Sequence, residues 1–127
     1  MAIEVVWFKR DLRTRDHLPL TSAALSGKAV LCLFVIEPDR FQQPDIDPIH
    51  IEWELDCAID LSKNLEKSGG SLHFKFGNIL EILQKINDEF GIDRLLSHEE
   101  TGNSWSYQRD KDVLKWCKNN YIKWTEY

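Results

Sequence analysis

The sequence is short of several things, and each shortage removes a class of function. Cations are outnumbered, 16 Lys and Arg against 21 Asp and Glu, for a formal charge of −5. Neutralising a phosphate backbone needs a basic surface, so at most weak nucleic-acid binding is expected of this chain alone. Cysteine is scarce: Cys32, Cys57 and Cys117 are odd in number, widely spaced and form no Cys-x-x-Cys pair. That argues against a disulfide framework or a zinc site and for reduced core thiols in a cytoplasmic protein. The longest apolar run, Ala29–Ile36, is far below the roughly 20 residues that cross a bilayer, so no membrane partner is expected. The opening Met1–Phe8 has no basic lead and is broken by Glu4, so it is expected to be a first strand and not a secretory signal. No glycine lies between Phe8 and Leu18, and Gly-x-Gly-x-x-Gly is absent throughout. Both facts speak against a phosphate loop or a dinucleotide fingerprint. Gly-x-Ser-x-Gly is missing too, leaving no hydrolase elbow.

What remains is a regular alternation. Ile3–Phe8 and Ala29–Ile36 are continuous apolar runs, as expected of strands covered on both faces. Between them Leu18–Leu25 forms a short helix closed by Gly27. Glu37-Pro38-Asp39 ends the second strand, and Phe41–Ile46 reads as a loop. Asp47 offers a helix cap with Pro48 in the first turn, and Ile51, Leu55, Ala58, Ser62 and Leu65 form a stripe that stops at Gly69-Gly70. Leu72–Phe76 alternates, which predicts a strand with one wet face at a sheet edge. A helix with Ile79, Leu83, Ile86 and Phe90 follows, closed by Gly91. Asp93–His98 makes a fourth strand, Ser104–Asn119 a helix with Val113, Trp116 and Cys117 inward, and Ile122–Tyr127 a fifth strand. Right-handed βαβ crossovers then predict an α/β, Rossmann-like, doubly wound five-stranded parallel sheet, order 3-2-1-4-5, with helices on both faces.

Ligands of such sheets sit beyond the carboxyl ends of the strands, near the point where strand order reverses. Two segments occupy that place. The first, Lys9–His17, packs cations and carboxylates directly after a buried strand. It reads either as a solvated, internally paired charge run or as guanidinium forks that clamp a partner or an anion. The second, His98–Asp110, leads into a helix N-terminus, where Glu99 and Glu100 disfavour phosphate and suit a ligand with N–H donors, such as the ring edge of a pterin or flavin. Trp105 and Tyr107 are either stacking surface or ordinary packing. His98 shares no ligand spacing with His17, His50 or His73, so no metal is expected.

The same segments carry a family likeness. Trp7-Phe8-Lys9-Arg10-Asp11-Leu12-Arg13-Thr14-Arg15-Asp16-His17 resembles the Trp-Phe-Arg-Arg-Asp-Leu-Arg-x-x-Asp-Asn opening of DNA photolyases and cryptochromes. Leu33-Phe34-Val35-Ile36-Glu37-Pro38 resembles that family's second strand, which ends in an acidic residue and proline. His50 and Leu61 stand where its next helix carries a His/Gln-x-x-Phe-Leu…Leu pattern, and His98–Asp110 with Trp116-Cys117 is similar to a bacterial photolyase-like branch. Lys9, His17 and Ile49 depart from the family pattern, replacing Arg, Asn and a cation. Glu99 and Asn103 replace the Asn…Tyr-Glu contacts of folate-binding members.

The resemblance implies residues 1–127 as the N-terminal α/β domain of a light-dependent deoxyribodipyrimidine photolyase, which repairs pyrimidine dimers in DNA, or of a related cryptochrome. The chain would be truncated near the end of the fifth strand. The family's C-terminal helical domain, which holds FAD and meets damaged DNA, would be absent. In that picture the domain seats an optional antenna (methenyltetrahydrofolate, deazaflavin or flavin), and an empty antenna position is compatible with the departures. The antenna or cleft candidates are Phe8, Lys9, Arg10 and Glu37, with His98, Glu99, Glu100, Asn103 and Trp105 from the second segment. Candidates for docking on the FAD domain are Arg10, Asp11, Arg13 and Asp16, with Arg109 and Asp110. No catalytic residue is expected here. The rival architecture is a stand-alone nucleotide-binding module of the universal-stress or electron-transfer-flavoprotein kind. A receiver-type signalling domain fits less well, because no acidic pair follows the first strand.

Overall fold

The computed structural model describes residues 2–127. Five strands form one parallel sheet, β1 (Ile3–Phe8), β2 (Val30–Ile36), β3 (Leu72–Phe76), β4 (Ile92–Ser97) and β5 (Lys123–Glu126). Their order is β3-β2-β1-β4-β5, as the alternation of the sequence predicts. The helices are α1 (Leu18–Leu25), α2 (Pro38–Phe41), α3 (Pro48–Lys67), α4 (Ile79–Phe90) and α5 (Ser104–Asn119). The single turn α2 is additional to the expected elements, and begins where Pro38 ends the strand register. Among the described residues, no helix is long and apolar enough to cross a membrane.

The central strand β1 is buried along its whole length, and its side chains alternate between two cores. Ile3, Val5 and Trp7 pack with Leu33, Leu95, the α4 stripe Ile79, Leu83 and Ile86, and Val113 and Cys117 of α5. Val6 and Phe8 pack on the opposite face with Phe34, Leu72, Leu96, Ala23 of α1, and Ala58, Leu61 and Leu65 of α3. Both faces are therefore covered, which is why β1 and β2 read as unbroken apolar runs. Two stripe expectations change. Phe90 is exposed at the end of α4, and Leu61, not Ser62, is the fully buried α3 residue in that turn.

Local chemistry sets the boundaries. Asp47 and Asn78 accept from Ile49 and Leu80 N–H groups as N-caps of α3 and α4, removing orphan donors. Gly91, at φ 75°, closes α4 in a backbone region that costs other residues energy. Between Ile3/Ile92 and Glu4/Arg94 the β1–β4 register slips by one residue, a bulge that lets Ile92 and Leu95 share a core. Beyond it Glu4, itself buried, accepts three hydrogen bonds of 2.6–3.1 Å from the Arg94 guanidinium.

Candidate functional site

The carboxyl ends of β1, β2 and β4 meet in a layer of charged side chains. Asp11, just past β1, is its first anchor. Its Oδ1 accepts from the Lys9 backbone N–H at 3.0 Å, and its Oδ2 is shared by two imidazoles, His98 Nδ1 at 2.6 Å and His17 Nε2. His17 is fully buried between Phe8 and His98, each ring 4.6 Å from its centroid. It also caps α1: its Nδ1 accepts from Leu20 N–H at 3.1 Å. Burial works to raise the Asp11 carboxyl, but the hydrogen bonds from His17 and His98 outweigh it and hold the group well below its ordinary 3.8.

The ligand atoms of Asp11, His17 and His98 lie within 4.8 Å of one another, a grouping that sequence spacing hides. The α1 cap decides its chemistry. Because Nδ1 of His17 accepts the Leu20 N–H, the imidazole proton sits on Nε2 and points at Asp11. A metal at Nε2 would need that lone pair, and a metal-bound imidazole normally donates through its other nitrogen. The cluster is a hydrogen-bonded clasp between the β1 and β4 exits.

Arg109 is the second anchor. It is buried in the first half of α5, and its guanidinium donates to Glu37 Oε1 at 3.0 Å, to Asp110 Oδ1 at 3.1 Å and to Glu100. It also lies 5.0 Å from the Trp7 ring and 5.4 Å from that of Trp105. Burial acts to lower the pKa of Arg109, and the three carboxylates overcome this and raise it. Glu37 moves upward, because its desolvation exceeds the help it takes from Arg109. Lys9 is likewise buried, with Nζ 4.4 Å from the Trp7 ring, 5.3 Å from that of Trp124 and 3.4 Å from Asp110 Oδ2. Arg40 of α2 makes a two-pronged pair with Glu54 of α3, both bonds 2.7 Å, while its buried Nε has no partner.

These pairs fill the crevice that doubly wound sheets commonly leave for ligands. The space bounded by Phe8, Glu37, Arg40, Glu54, Glu100 and Arg109 is only about 10 Å³, room for one water at most. Open space lies around it. A shallow depression of about 200 Å³ is lined by Lys9, Arg10, Asp11, His98, Glu99 and Glu100. On the α3 side a groove of about 300 Å³ runs among Arg10, Leu12, Arg40, Ile46, His50 and Trp53. On the α4–α5 side a cleft of about 310 Å³ includes Glu37, Asp39, Asn78, Trp105, Gln108 and Asp112 on its walls.

The residues singled out in the sequence therefore fall into separate places. Phe8 is wholly buried in the α1–α3 core and offers a ligand no surface. Lys9, Arg10, His98, Glu99 and Glu100 share the shallow depression; Glu37 and Trp105 belong to the α4–α5 cleft. Asn103 caps α5 through Ser106 N–H and donates to Asp45 at 2.8 Å. Among the docking candidates Arg10, Arg13 and Asp16 are exposed, and Asp11 and Asp110 half-buried. Arg109 is enclosed by its carboxylates and has no face to offer a neighbour. Arg40, Trp53 and Asp112 were not indicated by sequence. Arg40 and Trp53 lie outside both charged segments, and nothing local marks Asp112 as facing a cleft.

The match to known proteins follows this geometry. The DNA photolyase family model, DNA_photolyase, aligns with residues 4–127. The chain belongs to the DNA photolyase family. A cryptochrome DASH, chloroplastic/mitochondrial, of Arabidopsis thaliana is 30% identical over 105 residues, 78% of this chain and 18% of its own. A deoxyribodipyrimidine photo-lyase of Agrobacterium fabrum is 32% identical over 93 residues, 72% of this chain and 19% of its own. The chain thus spans under a fifth of the length of these photolyase-family relatives. In fold it is similar to a Synechocystis cryptochrome, with TM-score 0.91 and 23% identity over 100% of this chain and 27% of that one. It is similar also to an archaeal photolyase from Sulfolobus tokodaii described with two FAD molecules, with TM-score 0.84 and 22% identity over 98% of this chain and 29% of that one. These relatives favour the photolyase reading over the stand-alone nucleotide-binding module.

Proposed function

We propose that this chain is the antenna-type α/β domain of a light-dependent deoxyribodipyrimidine photolyase or related cryptochrome, working beside a helical FAD domain that meets damaged DNA. The observation that carries this reading is the family match over residues 4–127 in relatives several times longer. The domain's part is to hold a light-absorbing ring and to present its charged, strand-end layer to its partner domain. Exposed Arg10, Arg13 and Asp16, on the loop after β1, are the contacts it offers.

The Arg10–Arg40 groove is the seat best suited to an antenna ring. Its lining joins Arg10 and Arg40 to an exposed indole, Trp53, and to Leu12 and Ile46, with the carboxylates of Asp45 and Glu54 beside them. The unpartnered Nε–H of Arg40 is a buried donor that a ring carbonyl or ring nitrogen would satisfy. A flavin or deazaflavin presents such acceptors along one edge and an aromatic face to stack.

The test is made on the full-length gene product purified in the dark. Its absorption spectrum before and after denaturation should contain FAD plus a second chromophore. Arg40→Ala should lose the second and keep the first. Blue light should restore dimer-containing DNA, or photoreduce the flavin if the protein is a receptor. A product without flavin and inert to light would refute the family-level activity. One with FAD alone would refute the antenna role only.

A further inference from the structure

β3 stands at one end of the sheet, with β2 as its single strand neighbour. Beyond Leu72 every residue of the strand is exposed, Phe74 by 40% and Phe76 by 73%, so the flanking helices leave it open. The Gly77 N–H donates to the Ile36 carbonyl at 3.0 Å. In a parallel ladder alternate residues turn both backbone groups to the same side. His73 and Lys75 therefore bond to β2, and Leu72, Phe74 and Phe76 point theirs outward. Among the described residues those outward groups have no backbone partner. Sheet edges are commonly blunted by proline, a bulge or a charge. β3 contains no proline, and its register runs unbroken from Cys32↔Leu72 to Ile36↔Phe76. Lys75 is the one ordinary deterrent.

An open row of donors and acceptors is met by another extended strand, and β3 is complementary to itself. In an antiparallel pair, residues whose backbone groups face outward stand directly opposite each other. Full overlap puts Phe74 opposite Phe74 on a two-fold axis, Leu72 opposite Phe76 and Lys75 opposite His73. Sliding by two residues sets Lys75 against Lys75 or His73 against His73, and either slide shortens the ladder. Like charges directly opposite oppose the first of these. A slide of one residue sets outward groups against groups already bonded to β2. At the ends Ser71 meets Gly77, small residues that admit a second backbone. Phe74 already stands edge-on to Phe34, with ring centroids 6.0 Å apart, so its ring is held in place for its twin.

We propose that β3 is a self-association edge, at which two copies of this chain pair antiparallel about Phe74 and join their sheets into one. The contact uses the same patch on both copies, so it closes at a dimer. A ladder of five residues falls below the roughly 1,200 Å² of a stable interface. The dimer is therefore weak, with a Kd on the order of 100 μM. Neither the antenna groove nor the photolyase reading bears on it.

Sedimentation equilibrium of the 127-residue chain from about 5 to about 500 μM tests it. The average mass should rise from monomer toward dimer and no further. Phe76→Pro removes only an outward N–H, and should weaken the dimer about tenfold or more, with thermal melts confirming that the fold is kept. Phe74→Cys would lie on the two-fold axis, its Cα about 5.5 Å from its twin and within reach of a disulfide. It should cross-link under mild oxidation. Phe76→Cys, opposite Leu72, lies about 13 Å from its own twin and should not. Peptide mapping separates these links from any through Cys32, Cys57 or Cys117. A monomer at every concentration overturns the proposal, and so does growth past the dimer. A dimer that Phe76→Pro leaves at full strength overturns it too, as does cross-linking by Phe76→Cys without Phe74→Cys.

Discussion

The backbone N–H of Leu20 donates to Nδ1 of His17 at 3.1 Å, and this one bond fixes the proton of His17 on the nitrogen facing Asp11. The ring therefore serves α1 as an N-cap and the β1–β4 junction as a donor. His17→Ala should lower stability by about 1–2 kcal/mol from the cap alone, and more through the space left beside Phe8. His17→Asn keeps a capping oxygen and should recover the cap's share. Urea denaturation of the three proteins measures this; equal loss in both variants would argue against the capping role.

The same fixed proton bears on acid stability. The Asp11 carboxyl is held below its ordinary 3.8 in the folded protein, so near that pH the unfolded chain binds more protons. Its contribution is present above the unfolded value and is lost as pH falls through the folded one. Glu37, raised by burial, has the opposite sign: what it contributes is present at low pH and lost as pH rises through its folded value. Asp11→Asn should therefore flatten the acid limb of a stability–pH profile below about pH 4, measured by thermal melts across pH. A limb of unchanged slope would mean that Asp11 does not set it.

Arg109 offers a sharper test, because its partners are buried with it. Arg109→Met strands the buried Glu37 carboxylate and leaves Glu100 with Arg10 as its remaining ion-pair partner, and should cost about 3–5 kcal/mol. Adding Glu37→Gln removes one stranded charge and should restore part of that loss, so the pair should be non-additive in a double-mutant cycle. Strict additivity, read from denaturant midpoints, would mean the two groups are not coupled.

Much of this fold could be read from residue order. The apolar runs of β1 and β2, Pro48 in the first turn of α3 and Gly91 at the end of α4 each carry their own local reason, and together they imply the strand order. The single turn α2 could not be read, because Pro38–Phe41 is too short to show a period. The clasp was hidden for another reason. Asp11 and His98 are 87 residues apart, and only the closed sheet brings them together. Arg109 illustrates a third limit: its charge suggests an exposed contact, whereas its partner Glu37 lies 72 residues away and encloses it. Sequence shows that a charge exists, and topology decides what faces it.

A smaller prediction concerns Tyr121, just after α5. It is 96% exposed and sits at φ 58°, a left-handed conformation costing an L-residue about 1–2 kcal/mol. With no packing to lose, Tyr121→Gly should raise stability by roughly 1 kcal/mol after the entropy of the unfolded glycine is counted. A melting temperature that falls would show the ring to be doing something the fold alone does not require.

The pairing of Glu4 with Arg94 also has a kinetic meaning. These residues are 90 positions apart, while β1 finds its other neighbour, β2, across a single short helix. A chain emerging from the ribosome can assemble β1, β2 and β3 early, but the second side of β1 stays unsatisfied until residues 92–97 have been made. Closing so long a loop is slow, and for that interval a strand as apolar as Val5–Phe8 has an open edge that other chains could capture. The buried Glu4 carboxylate lies on that waiting edge. Until Arg94 arrives it makes the edge a poor template for an apolar stranger, so the carboxylate that later completes the ion pair also guards the edge beforehand.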